Sequence, residues 1–313
     1  QGIILLNEKN QINLINSSAK KIYQNDVAAD DNNNSLVQNN KLHSDILEKI
    51  YRHENFEHKI SGIVYSFEVI DLKDESRYGN KYHNKLLILN DLSEEKRSEK
   101  LRSVFFANAS HELKTPLTAI KGFSELLSND YNPKYVKSIT KSVERMSSLI
   151  DDMLHLSALE TLKTDENKQK IDLRDITLNI FEQLELQAEG KNLSLRVHGK
   201  GKIFASPHTM VELCINLISN AVSYNKQNGS VDVFIEEEDN YVSYKVQDTG
   251  IGIPKKHQAK VFERFYRVDK SRSRTLGGTG LGLSIVKHIA GLYNASISLK
   301  SKEGKGTTVE IIF

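Results

Sequence analysis

The sequence predicts a multidomain α+β protein in which a helical hairpin separates a small α+β domain from an α/β domain. Three observations support this fold class. The chain has 313 residues, which is enough for two or three domains. A heptad repeat of apolar residues within 133–159 is typical of helices that pack side by side. From about residue 170 onward, strand-like and helix-like patterns mix, as they do in an α/β layer.

Composition excludes several classes of protein. The 43 basic and 41 acidic residues leave a net charge of +2, so we expect no direct binding to nucleic acid. Cys214 is the single cysteine, which excludes a disulfide framework and predicts a small core residue in a reducing compartment. No apolar run reaches the roughly 18 residues of a membrane span, and no signal peptide is recognisable. Because the chain opens directly on a strand-like pattern, we expect a fragment whose N-terminal part has been removed.

The first 90 residues predict a small α+β domain. Two short apolar runs, Ile3–Leu6 and Ile12–Ile15, surround a polar turn and predict a hairpin. The remaining patterns predict helices at 17–23 and 44–51, a polar loop at 24–40, and strands at 60–72 and 85–92.

Three histidines fall in this domain, at His53, His58 and His83. Their spacing matches no template for metal ligands, so we expect scattered surface histidines. A metal site is the alternative.

A long helix should follow this domain. Asp91 or Ser93 can cap its first turn, in which two glutamates are favourably placed. No glycine or proline interrupts the pattern before Pro116, so the helix is predicted to run through His111 to about Ser128.

A second helix is predicted at 133–159, after a turn at 129–133. Two helices joined by a tight turn form an antiparallel hairpin. One hairpin cannot bury both apolar stripes, so two copies should pair into a four-helix bundle, which predicts a homodimer. The stripe of the second helix steps by four and three residues through Ile139, Val143, Met146, Ile150 and Met153.

The first helix carries an unusual polar set. His111 lies about 200° around the helix from Leu113 of the apolar stripe, so its ring should face water. Glu112 is adjacent, and Thr115 shares the histidine's face one turn later. Pro116 lacks an N–H group, so the helix should bend just after the histidine. A structural coiled-coil stalk would explain the apolar seam but not this set.

The last part of the chain predicts an α/β domain after a polar linker at 161–169. Gly190 should end the first helix, and Ser206 with Pro207 should begin the second. The predicted helices are 172–189, 207–223 and 281–293, and the predicted strands are 193–197, 231–236, 242–247, 295–299 and 307–312.

Two clusters in this domain suggest a nucleotide. Asn216 and Asn220 are four residues apart on one helix face, and amide oxygens are hard ligands suited to Mg²⁺. Asp248 precedes Gly250 and Gly252, whose backbone can approach a flat ligand closely. The Asp248 carboxylate can accept a hydrogen bond from an exocyclic amine such as that of adenine. A plain turn after a strand is the alternative.

Two further clusters suggest phosphate binding. The aromatic residues of 262–267 can pin a loop to the domain, and Arg267 can pair with phosphate oxygens. The glycines of 277–283 open a helix and expose N–H groups to an anion. Walker and protein-kinase signatures are absent from the sequence. The four clusters are specific together because they follow the His111 helix in this order.

The chain from about Asp91 to its end resembles the cytoplasmic part of a bacterial sensor histidine kinase. The resemblance implies a dimerisation and histidine-phosphotransfer hairpin followed by an ATP-binding α/β sandwich of the Bergerat type, shared with Hsp90, gyrase and MutL. The matching stretches are 111–116 for the H box, 216–220 for the N box, 248–252 for the G1 box, 262–267 for the F box and 278–282 for the G2 box.

The opening residues resemble a PAS sensor domain. A PAS domain directly before the H-box helix is similar to the PhoR and WalK group of membrane-anchored sensors. This implies the cytoplasmic portion of a membrane-bound protein that responds to a signal the sequence does not identify. The domains expected are PAS at 1–90, signalling helix and hairpin at 91–160, linker at 161–169 and ATP-binding domain at 170–313.

The resemblance also implies the residues that bind ATP and Mg²⁺. Asn220 would hold the metal and Asp248 the adenine, while 268–279, with Lys270, Arg272 and Arg274, would form a lid. Ser223 departs from the family pattern, which often has a basic residue there, and the missing phosphate contact could come from Lys226, Arg264 or Arg267. The nucleotide-binding residues expected are Asn216, Asn220, Tyr224, Asp248, Gly250, Gly252, Arg267, Gly278, Thr279, Gly280, Leu281 and Gly282.

By the same resemblance, His111 attacks the γ-phosphate of ATP while Glu112 orients its ring and takes its proton. The phosphoryl group then passes to an aspartate on a separate response regulator. Thr115 would serve dephosphorylation of that regulator. The alternatives are an ATP-gated conformational protein of the Hsp90 type and a kinase-dead scaffold.

Overall fold

The computed structural model describes residues 1–9, 11–27, 37–38, 41–42, 44–52, 54–75, 81–161, 167–269 and 278–313. The chain divides into two compact units, 1–106 and 107–313. The boundary between them falls inside one long helix. Among the described residues, no helix is both long enough and apolar enough to cross a membrane.

The first unit is built on a five-stranded antiparallel sheet with the strand order β2-β1-β7-β6-β5. Its helices are α1 (Ser17–Val27) and α2 (Ser44–Tyr51). Its strands are β1 (Gly2–Leu6), β2 (Ile12–Ile15), β3 (Val37–Gln38), β4 (Lys41–Leu42), β5 (Phe56–Ile60), β6 (Ile63–Glu75) and β7 (Lys81–Asp91).

The predicted hairpin β1–β2 and the predicted helix α2 are confirmed. Helix α1 runs past its predicted end, and most of the predicted polar loop lies outside the described residues. The strand predicted at 60–72 corresponds to β6, which begins three residues later, whereas β5 and the turn between the two strands were missed. Ser61 and Gly62 both have positive φ, 46° and 87°, which reverses the chain in two residues. Apolar residues lie on both sides of this turn, so the sequence pattern did not indicate that the chain reverses there.

The core of the first unit lies between the sheet and its two helices. Phe67 is fully buried and stacks on Phe56, with ring centroids 4.8 Å apart. The ring of His58 meets the Phe67 ring edge-on, whereas His53 and the side chain of His83 lie outside the described part of the chain. The buried residues are Ile4, Leu6, Ala19, Ile46, Ile50, Ile60, Tyr65, Phe67, Leu87 and Leu89.

The helical hairpin consists of α3 (Ser93–Asn129) and α4 (Pro133–Thr161), as predicted. Asp91 caps α3, because its Oδ1 accepts a hydrogen bond of 2.7 Å from the Ser93 backbone N–H. Asn132 caps α4 in the same way, because its Oδ1 accepts a hydrogen bond of 3.0 Å from the Lys134 backbone N–H. Helix α3 continues through Pro116, whose ring is buried.

The α/β part is a five-stranded sheet covered by helices. The sheet order is β13-β14-β12-β11-β9, in which only the β9–β11 pair is parallel among the described strands. The helices are α5 (Leu173–Glu189), α6 (Pro207–Ser223), α7 (Lys255–Gln258) and α8 (Gly282–Leu292). The strands are β8 (Gln169–Asp172), β9 (Ser194–Gly199), β10 (Lys202–Ala205), β11 (Ser230–Glu238), β12 (Tyr241–Asp248), β13 (Ser296–Lys302) and β14 (Gly306–Ile312).

All five predicted strands and three predicted helices of this part are confirmed within a few residues. The small β8–β10 sheet was missed because both strands are short and mostly polar. Pro207 opens α6 as predicted, but the Ser206 hydroxyl forms no cap, and its backbone N–H donates to the Tyr293 hydroxyl at 3.0 Å. Cys214 is a core residue as predicted, and burial raises the pKa of its thiol to about 12.

Candidate functional site

His111 and Glu112 are neighbours on α3 with opposite environments. The His111 side chain is 67% exposed, whereas that of Glu112 is only 10% exposed. The difference follows from the turn of about 100° that a helix makes at each residue. Glu112 Oε1 lies 4.0 Å from His111 Nδ1, so the carboxylate faces one ring nitrogen of a largely exposed imidazole.

The second carboxylate oxygen of Glu112 is held by two arginines. Arg145 of α4 donates to Oε2 at 3.1 Å, and Arg267 donates to the same atom at 3.4 Å. Both arginine side chains are largely buried, so the carboxylate has its counter-charges where water is mostly excluded. Arg145 was not predicted from the sequence. The available signal was a charged residue directly beside Met146 of the heptad seam.

Thr115 lies one turn after His111. Its hydroxyl donates to the His111 backbone carbonyl at 3.3 Å, the bond that a threonine within a helix commonly makes to the preceding turn. The hydroxyl therefore lies beside the backbone of the helical turn that carries His111. Its predicted part in dephosphorylation stays a prediction.

The predicted nucleotide residues of α6 face the glycine segment that opens α8. A Cβ on Gly282 would lie 2.5 Å from Asn216 Oδ1 and 3.7 Å from Asn220 Nδ2. A Cβ on Gly278 would lie 3.1 Å from the Tyr224 hydroxyl. The structure thus brings the Asn216–Tyr224 face of α6 against the glycine segment, and the missing side chains leave the approach open.

Asp248 ends β12 beside the same helix. Its Oδ1 accepts hydrogen bonds from the N–H groups of Gly250, at 2.8 Å, and Thr307, at 3.2 Å. Burial nevertheless raises the pKa of the Asp248 carboxyl to about 6, against the effect of the two backbone bonds. A Cβ on Gly250 would collide with the Tyr224 carbonyl oxygen, which shows how closely this loop packs on the end of α6. Gly252 has a φ of 67°, which favours glycine.

The 262–267 loop is pinned to the glycine segment, as predicted from its aromatic residues. Phe265 is buried, and its N–H donates to the Gly280 carbonyl at 2.9 Å. Gly280 has a φ of 79°, and a Cβ there would meet the Phe265 backbone at 3.0 Å. Residues 270–277 of the predicted lid, with Lys270, Arg272 and Arg274, lie outside the described residues.

Thr279 and Leu281, from the same segment, are both buried. The Thr279 hydroxyl donates to Asp152 Oδ2 on α4 at 2.6 Å and accepts from the Leu281 N–H at 3.3 Å. Burial raises the pKa of the Asp152 carboxyl. Asp152 was not predicted as a site residue, because nothing local in α4 distinguishes it from Asp151.

The end of α4 makes further contacts with the α/β part. Arg264 forms an ion pair with Glu160, and a ring nitrogen of His288 lies 2.9 Å from the Leu159 carbonyl oxygen. Two predicted nucleotide ligands therefore contact hairpin carboxylates in this structure: Arg267 contacts Glu112, and Thr279 contacts Asp152.

Two family comparisons match the two halves of this site. Residues 101–162, which contain His111, match the His Kinase A (phospho-acceptor) domain. Residues 205–313, which contain the nucleotide clusters, match the histidine kinase-, DNA gyrase B- and HSP90-like ATPase. The chain belongs to the sensor histidine kinases. The predicted fold class is confirmed for the hairpin and for the ATPase domain.

Several known histidine kinases are similar to the chain. Sensor protein kinase WalK of Staphylococcus aureus is 35% identical over 236 residues, covering 72% of this chain and 57% of the relative. Sensor histidine kinase WalK of Bacillus subtilis (strain 168) is 36% identical over 245 residues, covering 74% and 40%. The chain therefore spans about half the length of the curated relatives it matches. The solved histidine kinase ThkA, in complex with response regulator protein TrrA, shares the fold with a TM-score of 0.55 at 16% identity, covering 100% of this chain and 95% of that chain.

Substitution of Asp152 should tighten nucleotide binding if Thr279 serves the nucleotide. Asp152→Asn removes the charge that holds the Thr279 hydroxyl, so less free energy is lost when a nucleotide takes that hydroxyl. We expect the Kd for ADP to fall by roughly three- to tenfold, the worth of one buried charged hydrogen bond that is only partly replaced. Titration calorimetry on the whole chain measures this.

Asp151→Asn is the matched control, because Asp151 is exposed and one residue away in the same helix. Equal ADP affinity in the two variants would mean that the Asp152–Thr279 bond does not compete with nucleotide.

Proposed function

We propose that the chain is an ATP-dependent autokinase that phosphorylates His111. The observation that carries the proposal is the pairing of an exposed imidazole with a carboxylate oxygen aimed at Nδ1. The same compact unit holds the nucleotide clusters around α6 and α8, so acceptor and donor residues belong to one body.

The adenine ring is assigned to Asp248. Both hydrogen bonds that described residues give Asp248 go to Oδ1, which leaves Oδ2 for the exocyclic amine. Gly250 and Gly252 let the backbone approach the flat ring. Because the pKa of the carboxyl is raised to about 6, it is mostly ionised at neutral pH and accepts hydrogen bonds most strongly above about pH 6.

The phosphates are assigned to the glycine segment and to α6. Helix α8 begins at Gly282, and the N–H groups of a helix start attract anions. Asn220 faces this point and offers a hard amide oxygen, which fits Mg²⁺; when bound, the ion neutralises charge on the phosphates. We assign Asn216, Tyr224, Gly278, Thr279, Gly280, Leu281 and, after release from Glu112, Arg267 to the nucleotide.

The reaction is a transfer of the γ-phosphoryl group to nitrogen. The lone pair on His111 Nε2 forms the new bond to phosphorus, and the bond from phosphorus to the bridging oxygen breaks, so ADP leaves with that electron pair. The Nδ1 proton moves to Glu112, which Oε1 is placed to receive. Positioning and charge neutralisation supply most of the rate enhancement.

The phosphoryl group then passes to an aspartate of a response regulator. Support comes from the ThkA structure, which matches this chain over its full length and was solved with a response regulator. We assign Thr115, one turn after His111 on α3, the role of aiming a water at the regulator's aspartyl-phosphate, which would give the chain a phosphatase activity.

The functional unit is a homodimer. Within residues 107–160 of the hairpin, five large apolar side chains are 42–62% exposed in the single chain. A second copy would cover them by completing a four-helix bundle. They are Leu117, Leu126, Val143, Ile150 and Leu154. Residues 1–90 are proposed as a PAS sensor with an unidentified signal, and the similarity to the WalK sensor kinases supports the proposal that the chain is the cytoplasmic portion of a membrane-anchored protein.

His111→Gln should abolish phosphorylation while nucleotide binding stays intact. The variant removes the nucleophile but touches no residue of the ATP site. The measurement is incorporation of label from γ-labelled ATP, tested for the acid-labile and alkali-stable behaviour of a phosphohistidine, beside ADP binding by calorimetry.

Label that persists on His111→Gln would place the acceptor elsewhere. ATP hydrolysis without any label on the unsubstituted chain would support the Hsp90-type alternative, and nucleotide binding without either reaction would support a scaffold.

The affinity for ADP should rise as pH increases through about 6. Asp248 is protonated below that value and ionised above it, and the ionised carboxylate is the better acceptor. We expect roughly a three- to tenfold lower Kd at pH 7.5 than at pH 5, the difference between a charged and a neutral hydrogen bond.

The phosphates of ADP also titrate in this range, so Asp248→Asn is the control that retains their contribution. A pH dependence that is the same in both proteins would remove Asp248 from the adenine site.

Thr115→Ala should separate the two activities. Loss of a water-positioning hydroxyl should slow dephosphorylation of the regulator by roughly ten- to a thousandfold. Autophosphorylation should stay within about twofold, because a hydroxyl is too weak a base to activate His111. Both rates are measured with the purified regulator at fixed ADP and Mg²⁺, and equal losses in the two would contradict the assignment.

A further inference from the structure

We propose that Arg145 is a positioning residue for phosphorylation of His111, acting through Glu112. The inference rests on the proposed function and adds a residue that neither the sequence motifs nor the family descriptions assign. Arg145 lies in the second hairpin helix, 33 residues after Glu112, and outside the H box.

The geometry divides the carboxylate of Glu112 between two tasks. Oε2 accepts from the Arg145 guanidinium at 3.1 Å, while Oε1 lies 4.0 Å from His111 Nδ1. Because the two oxygens are fixed on one planar group, a bond that pins Oε2 also sets the direction of Oε1. The 4.0 Å separation is longer than a hydrogen bond, so this contact has to shorten when the reaction complex forms.

Burial makes this counter-charge necessary. The side chains of Glu112 and Arg145 are only 10% and 14% exposed. A buried carboxylate is costly unless an opposite charge is hydrogen-bonded to it. Arg145 supplies such a charge from within the hairpin.

Arg145 is also the partner that remains when the ATPase domain moves. Among the described residues, Arg145 and Arg267 are the two guanidinium groups in contact with Glu112. Arg267 belongs to the ATPase domain and is proposed to reach the nucleotide, which requires it to leave Glu112. Arg145 belongs to the hairpin itself and stays.

The expected consequence is control of the His111 tautomer. The Glu112 Oε1 atom accepts from Nδ1–H, which puts the lone pair on Nε2, the nitrogen proposed to attack phosphorus. Without Arg145, the imidazole should populate both tautomers, and Glu112 should act poorly as a base. We expect Arg145→Met to lower kcat of autophosphorylation by roughly ten- to a hundredfold, the lower range for a general base. The KM for ATP should change less than kcat, because the hydrogen bond of Arg145 among the described residues goes to Glu112 rather than to a nucleotide residue.

The experiment uses the whole chain and three variants. Arg145→Met removes charge and fork, Arg145→Lys keeps the charge, and Lys137→Met is the matched control, an exposed cation two turns earlier on α4. Autophosphorylation with γ-labelled ATP gives kcat and KM. Nitrogen-15 NMR of the His111 ring, assigned by its loss in His111→Gln, gives the tautomer without nucleotide.

The proposal expects a lower kcat with a smaller change in KM, a mixed tautomer for Arg145→Met, partial rescue by lysine and no effect of Lys137→Met. In a Glu112→Gln background, Arg145→Met should cause no further loss, because both act on one proton. Equal kcat in Arg145→Met and Lys137→Met would overturn the proposal. So would a joint change of kcat and KM with an unchanged tautomer, which is the signature of a merely structural clamp.

Two further outcomes are separable. If Arg145→Met does not fold, kcat and the His111 tautomer of Arg145→Lys still test the proposal. A lysine variant with the kcat and the tautomer of the unsubstituted chain would show that the guanidinium fork is not needed. If the unsubstituted chain takes up no label, the proposed function fails, while the NMR comparison of wild type and Arg145→Lys still tests the positioning.

Discussion

The structure depends on a single constraint in α3: an exposed imidazole must sit beside a buried carboxylate on consecutive residues. The helical turn supplies the two environments without any special backbone. The buried member, Glu112, then requires cations, and these come from two different elements, Arg145 on α4 and Arg267 beside the glycine segment. The charge requirement of one side chain therefore links the acceptor helix to its hairpin partner and to the ATPase domain.

The residues of α6 that are predicted to bind nucleotide lie close to the neighbouring segments because those segments carry glycines at the points of contact. Asn216 and Asn220 face Gly282, and Tyr224 faces both Gly278 and, through its carbonyl, Gly250. A methyl group on Gly282 would clash with Asn216, and one on Gly250 would clash with the Tyr224 carbonyl. Glycine at these two positions therefore allows α6 to lie close to the start of α8 and to the end of β12.

Sequence periodicity predicted most helices and strands because amphipathic patterns are local. It predicted the hairpin α3–α4 and the cap at Asp91, yet it missed the reversal at Ser61–Gly62, which apolar residues flank on both sides. The site was predicted motif by motif, but its connections were not. Glu112 meets Arg145 across 33 residues and Asp152 meets Thr279 across 127, and no spacing rule reaches that far. Long-range pairing is set by tertiary packing, so it appears only in the folded chain.

The contacts of Glu112 with Arg267 and of Asp152 with Thr279 would affect how the protein responds to the concentration of ATP in the cell. If Thr279 and Arg267 bind the nucleotide as proposed, these two carboxylates are tethered competitors for the same groups, present at a fixed effective concentration. The apparent affinity for ATP is then the intrinsic affinity reduced by the fraction of molecules in which these contacts are broken. A signal that shifts the hairpin would change the ATP concentration at which the protein responds without altering any atom of the nucleotide site.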